Sequence, residues 1–143
     1  FIPQRPYFPD GSLRDALAYP EPAASYSDAE LKQVLREAQL PQLQERLDSQ
    51  AAWNSSLSGG EQQRLSVARV LLKRPAWVFA DEATSALDNA AEAQIYSRLV
   101  QLVQGRGGAL VSVAHRDSVR AFHTTRWVLD PQTRQLHVLP MAG

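Results

Sequence analysis

At 143 residues the chain has the size of one ordinary domain, and with 44% apolar and 21% charged residues it can build a core. Its 15 basic and 15 acidic residues cancel to zero net charge, which leaves any nucleic-acid role to a local patch. The absence of cysteine excludes a disulfide framework and a thiolate metal site, and no apolar run approaches the ~18–20 residues needed to span a membrane.

The chain opens on Phe1, and "FIPQRP" lacks the charged and apolar regions of a signal peptide. It reads as a chain opened in its middle, with Phe1 and Ile2 as the end of a strand, and so as a piece of a longer protein. Pro3, Pro6, Pro9, Pro20, Pro22 and Pro41 then break residues 1–56 into short pieces. Ser12 can cap a short helix over Leu13–Tyr19. Ser27-Asp28-Ala29-Glu30 is a capping box. It opens a helix with Leu31, Val34, Leu35 and Ala38 on one face. Leu43 and Leu47 suit a further turn of helix.

From Leu57 onward the pattern alternates helix and strand. Ser58 to Glu61 is a second capping box, and its helix carries Leu65, Ala68 and Leu72 and stops before Pro75. Trp77–Ala80 is an apolar run ending in Asp81-Glu82, and it predicts a strand buried on both faces. Asn89–Gln104 predicts a helix with Ile95, Leu99 and Leu102 or Val103 inward, broken by Gly105, Gly107 and Gly108. Ala109–Ala114 predicts a second buried strand, ending at His115. "RWVLD-PQTR-QLHVLP" predicts a β-hairpin with Pro131 in the turn. Strand, helix, strand with apolar β-runs indicates an α/β fold, a parallel sheet covered by helices. No internal repeat or low-complexity segment is present.

Three stretches can carry chemistry. Asp81 and Glu82 lie at the C-terminal end of a strand, the edge where open α/β sheets bind ligands. The first carboxylate suits Mg²⁺ held through water, the second a general base; the alternative is a solvated turn. His115 ends the next strand and could share that edge, or be an ordinary turn residue. His123 and His137 lack such placement and read as structural, and no His/Asp/Glu spacing suggests zinc. In "LSGGEQQR", glycines and Ser58 precede a helix N-terminus, which attracts phosphate. A glycine hinge before a well-capped helix fits as well. No lysine-bearing G-x-x-x-x-G-K-[ST] loop occurs anywhere in the chain.

Taken in order, these stretches resemble the nucleotide-binding domain of ABC transporters. "LSGGEQQR" is similar to the signature motif, "WVFADEATSALD" to Walker B running into the D-loop, and "VAHR" to the H-loop. "PQRPYFPDGSLRDALAYP" is similar to the segment after the Q-loop glutamine. The likeness covers nearly the whole chain and implies the later part of a P-loop NTPase-like ABC ATPase, with the Walker A part outside it. Residues 1–56 would be the Q-loop and helical subdomain, and 57–143 the second half of the parallel-sheet core. The implied cofactors are ATP and Mg²⁺. Gln4 would contact Mg²⁺ and water, Asp81 would hold Mg²⁺, Glu82 would be the catalytic base, and His115 would reach the γ-phosphate. Ser58, Gly59, Gly60 and Glu61 would meet ATP held by an opposite subunit, and Asp88 would work across the dimer.

The resemblance further implies ATP hydrolysis coupled to movement of a substrate across a membrane. Its partners would be a second nucleotide-binding domain and a transmembrane domain of the same protein, with no nucleic acid. The place implied is the cytoplasmic face of the plasma, or bacterial inner, membrane. Trp53, "LLKRPAWVFADEATSALD" and "AHRDSVRAFH" are most like the peroxisomal fatty-acyl exporters and their bacterial relatives, including movers of cobalamin or antimicrobial peptides. The alternative is a soluble ABC-type ATPase of translation or DNA repair, which the zero net charge disfavours. Without Walker A the chain alone is expected to be inactive, with an open sheet edge.

Overall fold

The computed structural model describes residues 1–141. Its elements in order are β1 (Gly11–Ser12), α1 (Leu13–Ala18), α2 (Asp28–Glu37), β2 (Gln50–Ala51), α3 (Trp53–Ser56), α4 (Gly59–Lys73), β3 (Trp77–Asp81), α5 (Asn89–Gly105), β4 (Ala109–Val113), β5 (Thr125–Leu129) and β6 (Leu136–Pro140). Short 3-10 turns lie at Ala23–Ser25, Pro41–Arg46 and Asp117–Phe122.

The helices start where their caps dictate. Ser12, Ser27, Ser58 and Asp88 each accept a backbone N–H of the first turn, and Ser27 and Ser58 form reciprocal capping boxes with Glu30 and Glu61. Helix α4 ends as Arg74 turns into the left-handed region at φ 52, just before Pro75. Leu31 and Leu35 of α2 meet Leu65, Ala68 and Leu72 of α4 in one apolar cluster that also takes in Val78 and Ile95. Both compositional regions of the chain therefore share a single core. Trp53 is fully buried within it, its indole N–H donating to the Gly11 carbonyl at 2.9 Å. Its neighbour Asn54 takes the Phe8 N–H at 2.8 Å and donates to the Pro6 carbonyl at 2.9 Å, pinning the segment that follows Gln4.

Strands β3 and β4 pair in parallel, Trp77 opposite Ala109 through Asp81 opposite Val113. The expected strand end at Phe1-Ile2 is present: Ile2 bridges Ala80 in parallel on the other side of β3. Strands β5 and β6 form the expected antiparallel hairpin.

One expectation is corrected. Neither β3 nor β4 is buried on both faces. Val78 and Ala80 are buried, but Trp77 is 58% and Phe79 48% exposed, and β4 is half-buried with Val113 at 58%. The reason is coverage. Helix α5 packs against both strands from one side, and nothing among the described residues covers the other. An apolar run reports that a strand is meant to be enclosed; it does not supply the enclosing layer.

Candidate functional site

The parallel register brings the ends of β3 and β4 level, and the Glu82 N–H continues the ladder to the Val113 carbonyl at 2.8 Å. Directly beyond, the chain turns sharply, with Glu82 at φ 48. A left-handed backbone at a residue other than glycine is uncommon and clusters at functional sites. The turn aims the Glu82 carboxylate at His115, whose Nε2 lies 2.7 Å from Glu82 Oε1. Asp81, Glu82 and His115, expected at one sheet edge, stand there together. The His115 side chain is largely exposed and that of Glu82 mostly covered, so the pair opens to solvent on the imidazole side.

Gln4 follows the Ile2 bridge on the other flank of β3. It is held by Gln63, a residue that sequence reasoning passed over. Gln63 is 3% exposed. Its amide nitrogen donates to Ser85 Oγ at 2.9 Å and to the Gln4 carbonyl at 3.3 Å, and its oxygen accepts the Ala86 N–H at 2.9 Å. One amide thus ties the Gln4 segment to the loop after Glu82. The signal was available in the helix itself, where the second glutamine of "GGEQQR" lies four and seven residues before the buried Val67 and Val70 and so shares their covered stripe.

The Ser58–Glu61 stretch sits beside that same loop. A side chain on Gly60 would come within 3.3 Å of the Ala86 carbonyl, and one on Gly59 within 3.7 Å of the Ala86 side chain. The small residues let α4 enter against the backbone. The Ser58 hydroxyl and Glu61 carboxylate are engaged with each other's N–H groups at 3.1 and 3.0 Å. Glu61, expected among the binding residues, thus spends one carboxylate oxygen on the cap, and the Ser58 N–H holds its pKa below the usual carboxylate value. The N–H groups of Gly59 and Gly60 remain as first-turn donors. Asp88 caps α5 through the Ala91 N–H at 2.8 Å. Among the described residues no hydrogen bond joins the Ser58–Glu61 side chains to Asp81, Glu82 or His115. The candidate residues thus fall into two separate groups, a carboxylate-imidazole edge and a helix N-terminus. Between them, Gln4, Arg5, Asn54, Gln62 and Ser85 line an open cleft of about 430 Å³.

Asp81 offers exposed carboxylate oxygens, the donor type that Mg²⁺ takes. Among the described residues no group of three or more His, Cys, Asp or Glu stands together.

Comparison with known proteins gives a consistent picture. A family model described as ABC transporter matches residues 1–85. An uncharacterised ABC transporter ATP-binding protein of Synechocystis is 42% identical over 142 residues, covering 92% of this chain and 21% of its own length. The mouse lysosomal cobalamin transporter ABCD4 is 40% identical over 139 residues, covering 90% of this chain and 22% of its own. A solved bacterial Atm1-family ABC exporter with ATP bound superposes with a TM-score of 0.74 at 31% identity, over 90% of this chain and 23% of that one. The chain spans about a fifth of the length of the curated relatives it matches.

Proposed function

This chain belongs to the ABC transporter family, and we propose that it supplies the second half of a domain that binds and hydrolyses ATP to move a substrate across a membrane. The observation that carries this reading is the Glu82–His115 contact of 2.7 Å at the C-terminal sheet edge, beside the exposed carboxylate of Asp81. Glu82 is the acceptor for the proton of an attacking water. His115 stands next to it to reach the γ-phosphate. Asp81, with Gln4, would hold Mg²⁺, which supplies charge neutralisation at the phosphates.

The Gly59 and Gly60 N–H groups and the Ser58 hydroxyl form the second half-site, directed at ATP held by another copy of such a domain. Asp88 lies at the start of α5, on the D-loop side of that meeting. The partners are thus a second nucleotide-binding domain and a transmembrane domain of the same protein. The proposed location is the cytoplasmic face of the plasma, or bacterial inner, membrane. No helix among the described residues is long and apolar enough to cross a membrane. The kinship with ABCD4 and the Atm1-family exporter supports a transporter; no comparison supports the translation or repair alternative.

Glu82→Gln in the full-length protein tests the reading. The amide keeps the shape and loses the base, so turnover should fall ~10²–10⁴-fold while ATP still binds. Steady-state ATPase activity within a few-fold of wild type would remove Glu82 from the role.

A further inference from the structure

Helix α5 turns a carboxylate into the protein. Glu92 is 1% exposed and lies on the same helical stripe as Ile95, Tyr96 and Leu99. Burying a charge is costly unless it is paired and hydrogen-bonded. Here it is both. Glu92 Oε2 accepts the Thr84 hydroxyl at 2.6 Å, and Oε1 accepts the Ser118 hydroxyl at 2.6 Å. Arg116 Nη1 stands 3.4 Å from Oε2. The same guanidinium donates to the Leu87 carbonyl at 2.6 Å and to the Ser85 carbonyl at 2.8 Å.

These contacts link two loops that carry the site. Thr84–Leu87 runs from Glu82 to Asp88. Arg116 follows His115 directly, and Ser118 is two residues further on. Apart from the Glu82–Val113 hydrogen bond and the Glu82–His115 contact itself, the polar junction around Glu92 is what fastens one loop to the other. Stability alone gives little reason for a charge here, because replacing a buried ion pair by apolar side chains of similar volume is often neutral or stabilising. What an apolar filling would lack is direction: three donors from two loops, aimed at one carboxylate.

We propose that Glu92 and Arg116 are positioning residues that lock the Thr84–Leu87 loop to the His115 loop, so that Glu82, His115 and Asp88 are held as one unit. For catalysis this rests on the ATPase reading above; the mechanical part does not. Two measurements on the full-length protein separate them. In amide hydrogen exchange, Glu92→Gln and Arg116→Met should each accelerate both segments, 83–88 and 115–119, while β3 is unchanged. In steady-state ATPase assays, each variant should lower kcat about tenfold with KM for ATP within about twofold, and the double variant should be no slower than the slower single one, as for groups acting as a unit. Arg116→Lys should stay slow, since an ammonium cannot fork to two carbonyls. If Glu92→Gln does not fold, Arg116→Met carries both readouts, its side chain being 39% exposed. Faster exchange in only one of the two segments, additive losses in kcat, or wild-type kcat in the folded variants would overturn the proposal. A wild-type protein without ATPase activity would sink the functional reading and leave the exchange result to decide the junction.

Discussion

Glu61 shows how one side chain can be read two ways. In the motif it stands among residues expected to face nucleotide, and in the fold it closes a capping box on Ser58. Its carboxylate, held by the Ser58 N–H, has a pKa below the usual carboxylate value. The sign of the linkage follows. The cap's ionic stabilisation is fully present above the unfolded-state value and is lost as pH falls through the lowered folded value. Glu61→Gln retains an acceptor for the Ser58 N–H but cannot titrate. In urea unfolding between pH 5 and 3, the wild-type midpoint should drop more than the variant's. Asp28 and Asp48, both held low by hydrogen bonds from Arg14, contribute equally to the two proteins. Parallel pH curves would show that the cap does not depend on the charge.

At the scale of elements, the joint between α5 and β4 holds the closest backbone approach among the described glycines. The backbone passes so close to Ala76 that a Cβ on Gly108 would lie 1.6 Å from the Ala76 carbonyl oxygen. That oxygen also accepts the Ala109 N–H at 3.1 Å, the first rung of the β3–β4 pair. Backbone cannot move aside as a side chain can. Gly108→Ala should therefore destabilise by at least ~1–3 kcal/mol, the usual cost of overpacking. Gly105, three residues earlier, has open space around its missing Cβ, and Gly105→Ala should stay within about 0.5 kcal/mol of wild type. Equal melting temperatures for the two variants would refute the close approach. In sequence these glycines look alike, as breakers of the preceding helix; only the return of the chain beside Ala76 distinguishes them.

For the whole molecule, the division into two half-sites sets what the chain can do alone. On the proposed reading Gln4, Asp81, Glu82 and His115 would address metal, water and a terminal phosphate, and the lysine-bearing phosphate loop that supplies most triphosphate contacts in P-loop enzymes is not in the sequence. The α4 N-terminus contributes only ~0.3–2 kcal/mol toward an anion, far short of the ~8 kcal/mol of micromolar affinity. Calorimetric titration of the 143-residue chain with MgATP should show no micromolar binding, and ATPase activity should not exceed background. A longer protein that includes a Walker A segment should bind. Micromolar binding by the chain itself would mean that the signature half holds nucleotide unaided. Trp77, Phe79 and Val113, exposed on one sheet face, also make the isolated chain prone to associate, a liability of uncovered apolar surface.

Local chemistry was legible without coordinates. Ser27, Ser58 and their glutamates announce helix starts, because a cap is satisfied within four residues. The hairpin around Pro131 is equally local. The sheet edge that gathers Asp81, Glu82 and His115 could be read too, since both runs end in polar groups and parallel strands end level. The spacing did not reveal which buried polar groups tie the edge together. Gln63 and Glu92 act across gaps of 22 and 26 residues, on Ser85 and Ser118, and such partners are chosen by packing rather than by period. Nor did it reveal that Trp77 and Phe79 face outward. Burial belongs to the layers that close over a strand, and in this chain the tertiary structure supplies that layer, α5, on one side only.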